Sequence, residues 1–170
     1  MSEQGDASAE GAKFALQRIY VKDISFESPK APDCFRGQWK PKINLELNSS
    51  HSDLDANLFE VVLQVTVTAS SDEDAVLYLA EVQQAGIFMI EGLEADALKK
   101  TLGSFCPNVL FPYARQAIDG LVTNGSFPAL MLAPVNFDAI YDHAIKQAQT
   151  DPKQTHSNSV LLRCHFLTGD

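Results

Sequence analysis

The segment from Leu58 to Ala69 reads LFEVVLQVTVTA and alternates apolar with polar side chains along most of its length. Its apolar positions are Phe59, Val61, Leu63, Val65 and Val67, and its polar positions are Glu60, Gln64, Thr66 and Thr68. A period of two residues is that of a β-strand, in which successive side chains point to opposite faces. This segment is the strongest strand signal in the chain, and it predicts a sheet with one apolar face.

Three other segments predict strands on either side of it. Residues 14–27 are rich in β-branched and aromatic residues, residues 42–47 alternate cleanly, and residues 76–90 form another long strand. A polar turn is predicted at residues 48–57. In the first strand, alternation places Phe14, Leu16, Tyr20, Ile24 and Phe26 on one face, and Ile19, Val21, Asp23 and Glu27 on the other.

The period changes to a helical one after the fourth strand. The segment EADALKKTLG predicts a short helix that Gly103 closes. Pro107 and Pro112 flank the start of a longer helix that ends at Asn124, and Asn136 is a candidate N-cap for a last helix. Strands followed by helices predict an α+β fold: a four-stranded antiparallel sheet with helices packed on one face.

Length and composition indicate one acidic domain. The chain has 170 residues, a net charge of −9 and a pI near 4.8, which argues against nucleic acid as a partner. Its three cysteines include no CxxC pair, which favours a reducing compartment over a disulfide framework. The polar N-terminus does not resemble a signal peptide, and no apolar run is long enough for a bilayer. We therefore predict a cytoplasmic protein without membrane insertion, with a disordered acidic lead-in at residues 1–12.

The sequence contains no motif that predicts catalysis. The four histidines are isolated, no HExxH spacing occurs, and neither a GxSxG elbow nor a phosphate-binding glycine loop is present. We predict that the protein is not an enzyme and has no metal or cofactor. Two irregular segments are functional candidates instead: the crossover at residues 28–41, with three prolines and the only tryptophan, and the apolar ribbon SFPALMLAPVNFDA at residues 126–139, which two prolines interrupt.

Four blocks of this sequence resemble the SecB family of protein-export chaperones. They are RIYVKDISFE (18–27), LAEVQQAGIF (79–88), FCPNVLFPYAR (105–115) and NGSFPALMLAPVNFDA (124–139). The resemblance runs from about Phe14 to Gln149 and implies a SecB-like chaperone domain at residues 13–149. It also implies a homotetramer, a dimer of dimers, that holds unfolded secretory precursors without ATP and delivers them to the SecA motor.

The resemblance also implies site residues. Asp23, Glu27, Leu79 and Glu81 match the face of the family that docks on SecA. Ala80, Val82 and Gln84 match the contact between dimers. The chain departs from the family after residue 149, because residues 150–170 end in VLLRCHFLTGD and not in a polar, acidic tail. The role of this tail is not predicted.

A chaperone of many clients needs a long and adaptable apolar surface. The candidate client contacts are Phe35, Trp39, Met131, Phe137 and Tyr141. Packing in the core is an alternative for each of them, and for Phe137 it is the favoured one. The alternative function with the same fold is a dedicated SecB-like chaperone or adaptor that serves a single partner, such as an antitoxin.

Overall fold

The computed structural model describes residues 11–150 and, for residues 160–167, the backbone alone. The regular elements are β1 (Lys13–Glu27), a short 3-10 helix (Asp33–Arg36), β2 (Lys42–Asp55), β3 (Leu58–Ser70), β4 (Val76–Glu91), α1 (Ala95–Lys100), a π-helical turn (Thr101–Phe105), α2 (Cys106–Asn124), α3 (Phe137–Thr150) and β5 (Val160–Leu167). Residues 1–10 of the predicted disordered lead-in lie outside the described residues. In the described part, no helix is long and apolar enough to cross a membrane.

The strands form one antiparallel sheet in the order β1-β4-β3-β2-β5. The four predicted strands and the antiparallel α+β arrangement are confirmed. The structure adds a fifth strand, β5, which pairs with the edge of β2. This strand comes from the tail for which the sequence predicted no structure.

Helix α2 covers one face of the sheet, mainly over β3 and β4. The apolar face of β3 is buried as its alternation predicts, and Val61, Leu63 and Val65 are inaccessible to solvent. The buried side of α2 supplies Leu110, Ala114, Ile118 and Val122. Each fully buried aliphatic side chain of valine or leucine size contributes about 1.5–3 kcal/mol. The two sheet faces are called the helix-covered face and the helix-free face below.

Strand β2 is longer than its side-chain pattern predicts. It continues to Asp55 and reaches β3 through the two-residue turn Ala56–Asn57, so the predicted turn at residues 48–57 is wrong. Asn57 has a positive φ of 60°, which asparagine tolerates better than most residues in tight hairpin turns. The polar side chains of residues 48–55 do not prevent this part of β2 from pairing. Its backbone pairs with β3 up to Asp55, which lies opposite Leu58.

Two irregularities in β1 change which residues share a face. The pairing with β4 shifts register at Gln17 and at Lys22, and each extra residue turns the following side chains to the opposite face. Ile19 and Val21 therefore lie on the helix-covered face, while Tyr20 lies on the helix-free face. The prediction that Ile19 and Val21 share a face with the acidic residues of this strand is wrong for this reason.

The helical region is continuous from Ala95 to Asn124, and Gly103 does not end the first helix. Gly103 lies within the π-helical turn, and a Cβ built on it would lie 2.6 Å from ring carbons of Tyr141. The glycine therefore serves close packing of α3 and not termination. The predicted cap of α3 is confirmed: the amide of Ala139 donates to Asn136 Oδ1 at 3.1 Å.

Candidate binding surfaces

Five aromatic rings from four separate segments meet on the helix-covered face. We call them the aromatic cluster: Phe26 of β1, Phe35 and Trp39 of the crossover, Tyr78 of β4 and Phe127 after α2. Phe127 lies at the centre, with ring centroids 4.9 Å from Tyr78 and 5.2 Å from both Phe35 and Trp39. Separations in this range are typical of favourable aromatic pairs.

The aromatic cluster has a buried floor and an exposed rim. Tyr78 is 1% exposed and Phe127 is 5% exposed, whereas Trp39 is 36% and Phe35 is 49% exposed. Burial raises the pKa of the Tyr78 hydroxyl to about 12, because the phenolate form would be desolvated there. The rim rings rest on a packed base, and they offer flat apolar area at little additional cost in conformational entropy.

The chain after α2 is built to place Phe127. A Cβ on Gly125 would lie 2.4 Å from the ring of Phe26, so glycine is required for the two segments to meet. The amide of Phe127 donates to the carbonyl of Val122 at 3.1 Å, and Ser126 has a positive φ of 65°. This turn directs Phe127 into the sheet face at the end of the helix.

The rest of the proline-interrupted ribbon follows this turn and is held at its backbone. The amide of Leu130 donates to Asp119 Oδ1 at 3.1 Å. Leu132 is buried, while the neighbouring Met131 is 91% exposed. Methionine is flexible and polarizable, so an exposed one suits contact with varied apolar partners.

The predicted client contacts are thus divided by the structure. Phe35, Trp39 and Met131 are exposed, and Tyr141 is half-buried against Gly103. Phe137 is 5% exposed and packs on Phe111 with ring centroids 5.7 Å apart, which agrees with the favoured alternative of packing in the core. Sequence reasoning missed Phe26, Tyr78 and Phe127 as members of the cluster, since only their position in the fold brings them beside Trp39.

The predicted SecA-docking residues lie together on the helix-free face. Glu27 of β1 pairs directly with Leu79 of β4. Glu81 is two positions further along β4, and Asp23 is four positions before Glu27 on β1, so their side chains point to the same face. Opposite residues on antiparallel strands have Cβ atoms about 5 Å apart, which makes these four side chains one patch.

The charges of this patch are not neutralised by the side chains that the structure describes. Among the described residues, no lysine or arginine forms an ion pair with Asp23, Glu27 or Glu81. Glu81 accepts a hydrogen bond from Thr66 Oγ1 at 3.1 Å, which orients its carboxylate without changing its charge. The patch therefore presents negative charge beside an apolar leucine.

In contrast, the negative charge of Glu60, which also lies on the helix-free face, is compensated by neighbouring residues. It accepts a hydrogen bond from the hydroxyl of Tyr20 and forms an ion pair with Lys22 at 2.9 Å. These contacts, first of all the hydrogen bond from Tyr20, lower the pKa of Glu60. Glu60 is thus tied to residues of β1 and is not an available charge for a partner.

The residues predicted at the contact between dimers lie beneath the helices. Ala80 and Val82 are inaccessible to solvent and Gln84 is 3% exposed. The Gln84 side-chain amide donates to the carbonyl of Tyr20 at 2.9 Å, which ties β4 to β1. Their own chain thus covers Ala80, Val82 and Gln84, and their part in the contact between dimers stays a prediction.

Comparison with known proteins identifies close relatives. The family described as "Preprotein translocase subunit SecB" matches residues 7–148. The "Protein-export protein SecB" of Marinobacter nauticus is 56% identical over 158 residues, which cover 89% of this chain and 95% of the relative. The protein of the same name from Stutzerimonas stutzeri is 58% identical over 141 residues, covering 83% and 85% of the two chains.

One solved structure has the same fold at low sequence identity. It is the SecB-like chaperone of Mycobacterium tuberculosis in complex with a peptide from the HigA1 antitoxin. Its TM-score is 0.60 at 18% identity, over 72% of this chain and 90% of that one. The likeness extends to the arrangement of sheet and helices.

Proposed function

This chain belongs to the SecB family of protein-export chaperones, and we propose that it holds unfolded secretory precursors in the cytoplasm and delivers them to SecA. The work is proposed to require no nucleotide, metal or cofactor, because binding of apolar segments alone supplies the free energy of retention. The parts of this function are a surface for clients, a surface for SecA and an assembly that repeats both.

The client surface is proposed to be the aromatic cluster together with Met131. The observation that carries this is the exposed rim of Phe35 and Trp39 above a buried aromatic floor. At about 25 cal/mol per Å², a few hundred Å² of apolar contact contributes several kcal/mol before ordering costs. Few directional groups are needed in such contacts, which suits clients of unrelated sequence.

The SecA surface is proposed to be the patch of Asp23, Glu27, Leu79 and Glu81. Its uncompensated carboxylates favour a partner segment that is basic, and Leu79 adds apolar contact. This patch lies on the helix-free face, whereas the aromatic cluster lies on the helix-covered face. Opposite faces would allow a client and SecA to be bound at the same time.

The assembly is proposed to be a dimer of dimers that uses the edge of β1. Strand β1 pairs only with β4 among the described strands, so its other edge is free for a second chain. Four of its apolar side chains are more than a third exposed: Phe14, Leu16, Val21 and Ile24. Repetition of the client surface around a tetramer raises retention through effective concentration.

Two measurements test this function. Light scattering should give about four times the monomer mass of 18.6 kDa, and the protein should suppress aggregation of denatured precursors without nucleotide. A monomer without this activity would contradict the proposal. Several unrelated unfolded proteins should be held; retention of only one of them would favour the dedicated single-partner chaperone instead.

A further inference from the structure

The edge of β2 carries a strand that the family resemblance does not account for. Strand β5 pairs with it antiparallel over eight residues, from Lys42 opposite Leu167 to Ser49 opposite Val160. The ladder has no register shift, unlike those of β1 with β4 and β2 with β3. The edge of β2 thus accepts a strand in a regular register.

We propose that the β2 edge is a second binding site for extended polypeptide, which adds to the sheet as a strand, and that residues 160–167 occupy it in the free chain. The proposal rests on the function proposed above, because its ligand is an extended segment of an unfolded client. In strand addition the main chain supplies the hydrogen bonds, so recognition depends little on client sequence. This differs from the aromatic cluster, which binds side chains.

The position of β5 in the sheet makes it replaceable. Among the described strands it is the outermost and pairs with β2 alone, so its departure leaves the other four strands paired as they are. The residues of β3 and β4 beneath α2 are buried by that helix. Exchange at this edge would therefore leave the core and the aromatic cluster intact.

Strand β2 also carries two buried side-chain acceptors in the part that pairs with β5. The side-chain oxygens of Asn44 and Asn48 are buried, and neither has a hydrogen-bond partner among the described residues. A buried acceptor without a donor loses the hydrogen bond that it would make to water. A client strand with donor side chains opposite these positions would offer a hydrogen bond to each of them.

The covalent connection of β5 to the rest of the chain determines how strongly β5 competes with a client for the edge of β2. Nine residues, 151–159, separate the end of α3 from β5. Because β5 and β2 belong to one chain, their pairing is intramolecular and competes with a free peptide through its effective concentration. A free peptide at micromolar concentration should therefore bind only when β5 is weakened, and an unfolded client held elsewhere on the same chaperone should compete more effectively.

The first test weakens β5 in the full chain. In the variant Leu162→Pro/Arg163→Pro, two adjacent amides lose their hydrogens, so at least one donor to β2 is lost whichever way the ladder alternates. A fluorescent peptide with the sequence of residues 159–168 should bind this variant at least tenfold more tightly than the parent chain. Equal binding to both chains would overturn the proposal.

Backbone methylation tests the mode of binding. One peptide is N-methylated at residues 161, 163 and 165, and the other at 162, 164 and 166. In a strand, alternate amides point to opposite edges, so one peptide should lose binding to the proline variant by tenfold or more and the other should keep it. An equal effect of both methylation patterns would show that no strand is added, against the proposal.

A disulfide that locks β5 onto β2 is the opposite perturbation to the proline variant, which weakens β5. Asn48 pairs with Leu161, so Asn48→Cys/Leu161→Cys in a background of Cys34→Ala, Cys106→Ala and Cys164→Ala can close a disulfide between β2 and β5. Its client is reduced, carboxymethylated lactalbumin, a chain that stays unfolded. Affinity should fall at least threefold in the oxidised chain relative to the same chain reduced, and rise in the proline variant.

These outcomes separate the two proposals. If neither the lock nor the prolines change client affinity while aggregation is still suppressed, strand addition at β2 is wrong and the chaperone function stands. If no client is held but the peptide binds the proline variant with the alternating effect of methylation, the site stands and the chaperone function fails.

Discussion

Trp39 lies nearly parallel to Tyr78, with ring planes 12° apart and centroids separated by 6.2 Å. The first ring belongs to the crossover between β1 and β2, and the second is a buried residue of β4. An exposed ring of an irregular segment is thus held in place by the core of the sheet. This gives the proposed client surface a fixed orientation despite its position outside regular structure.

Replacement of Trp39 by alanine should weaken client binding. The change removes the largest exposed ring of the aromatic cluster, and we expect the Kd for an unfolded precursor to rise about tenfold, or about 1.4 kcal/mol. The matched control is Leu54→Ala, a similarly exposed apolar residue near the β2–β3 turn, which should leave the Kd unchanged. Equal effects of both variants would contradict a client site at Trp39.

The tryptophan also allows a measurement without a label. Trp39 is the only tryptophan of the chain, so emission from the chaperone reports on the aromatic cluster alone. Binding of a client that lacks tryptophan should shift this emission to shorter wavelength, because the ring loses contact with water. An unchanged spectrum at saturating client would place the client elsewhere.

Charge reversal on the helix-free face should weaken SecA binding selectively. For Asp23→Lys/Glu81→Lys we expect a loss of tenfold or more in affinity for SecA at low salt and a smaller loss at high salt, because screening reduces the charge contribution. Client affinity should remain within twofold. Glu73→Lys, an exposed acidic residue in the β3–β4 turn, is the control and should leave SecA binding nearly unchanged.

Alkaline pH should destabilise the fold through Tyr78. Burial raises the pKa of its hydroxyl to about 12, whereas the hydroxyl ionises near pH 10 in the unfolded chain. Between these values the unfolded chain binds fewer protons than the folded chain, so the free energy of unfolding falls as pH rises. The full contribution is present below pH 10 and is lost as pH approaches 12.

Tyr78→Phe isolates this effect because it keeps the ring and removes the hydroxyl. Urea unfolding measured between pH 10 and 12 should show a decline that is shallower by about 1.4 kcal/mol per pH unit than in the parent chain. Cys106, whose pKa burial also raises to about 12, contributes to the decline that remains. Tyr113→Phe, at an exposed position, is the control and should keep the slope of the parent chain.

The sequence predicted the features that depend on the periodicity of one segment, and it failed for the features that depend on contacts between distant segments. The alternation of β3 required only its own residues, and the cap at Asn136 required only the turn that follows it. The register shifts in β1 depend on how that strand meets β4, which no pattern within β1 records. The faces of Ile19 and Val21 were therefore assigned wrongly.

The residues of the candidate site divide in the same way, into those marked by a local pattern and those placed by contacts between distant segments. Composition marked the irregular crossover as a functional candidate and Trp39 and Phe35 as candidate contacts, with core packing as the alternative, and the structure leaves both side chains exposed. Their partner Phe127 was missed because its position depends on the space that Gly125 leaves for Phe26. The sequence did not show which face of β4 its own helices cover, because both faces are apolar, and only the packing of α2 places Val82 beneath a helix.

Gly103→Ala should lower stability by displacing α3. The added methyl would lie 2.6 Å from ring carbons of Tyr141, which is closer than non-bonded carbons pack, so the ring or the helix must move. Overpacking of this kind costs about 1–3 kcal/mol, measured here as the free energy of unfolding in urea. Because Ser104 Oγ donates to Asp138 Oδ1 at 2.5 Å beside this contact, movement of α3 should break that bond as well.

A second glycine supplies the matched control for this substitution. A Cβ on Gly120 would have nothing within 4 Å, so Gly120→Ala in the same helical region should stabilise by about 0.5–1 kcal/mol through helix propensity. Tyr141→Ala in the Gly103→Ala background should restore part of the loss, since the ring that collides is gone. Destabilisation by both glycine variants alike would show that the helix backbone, and not the contact with Tyr141, requires glycine at residue 103.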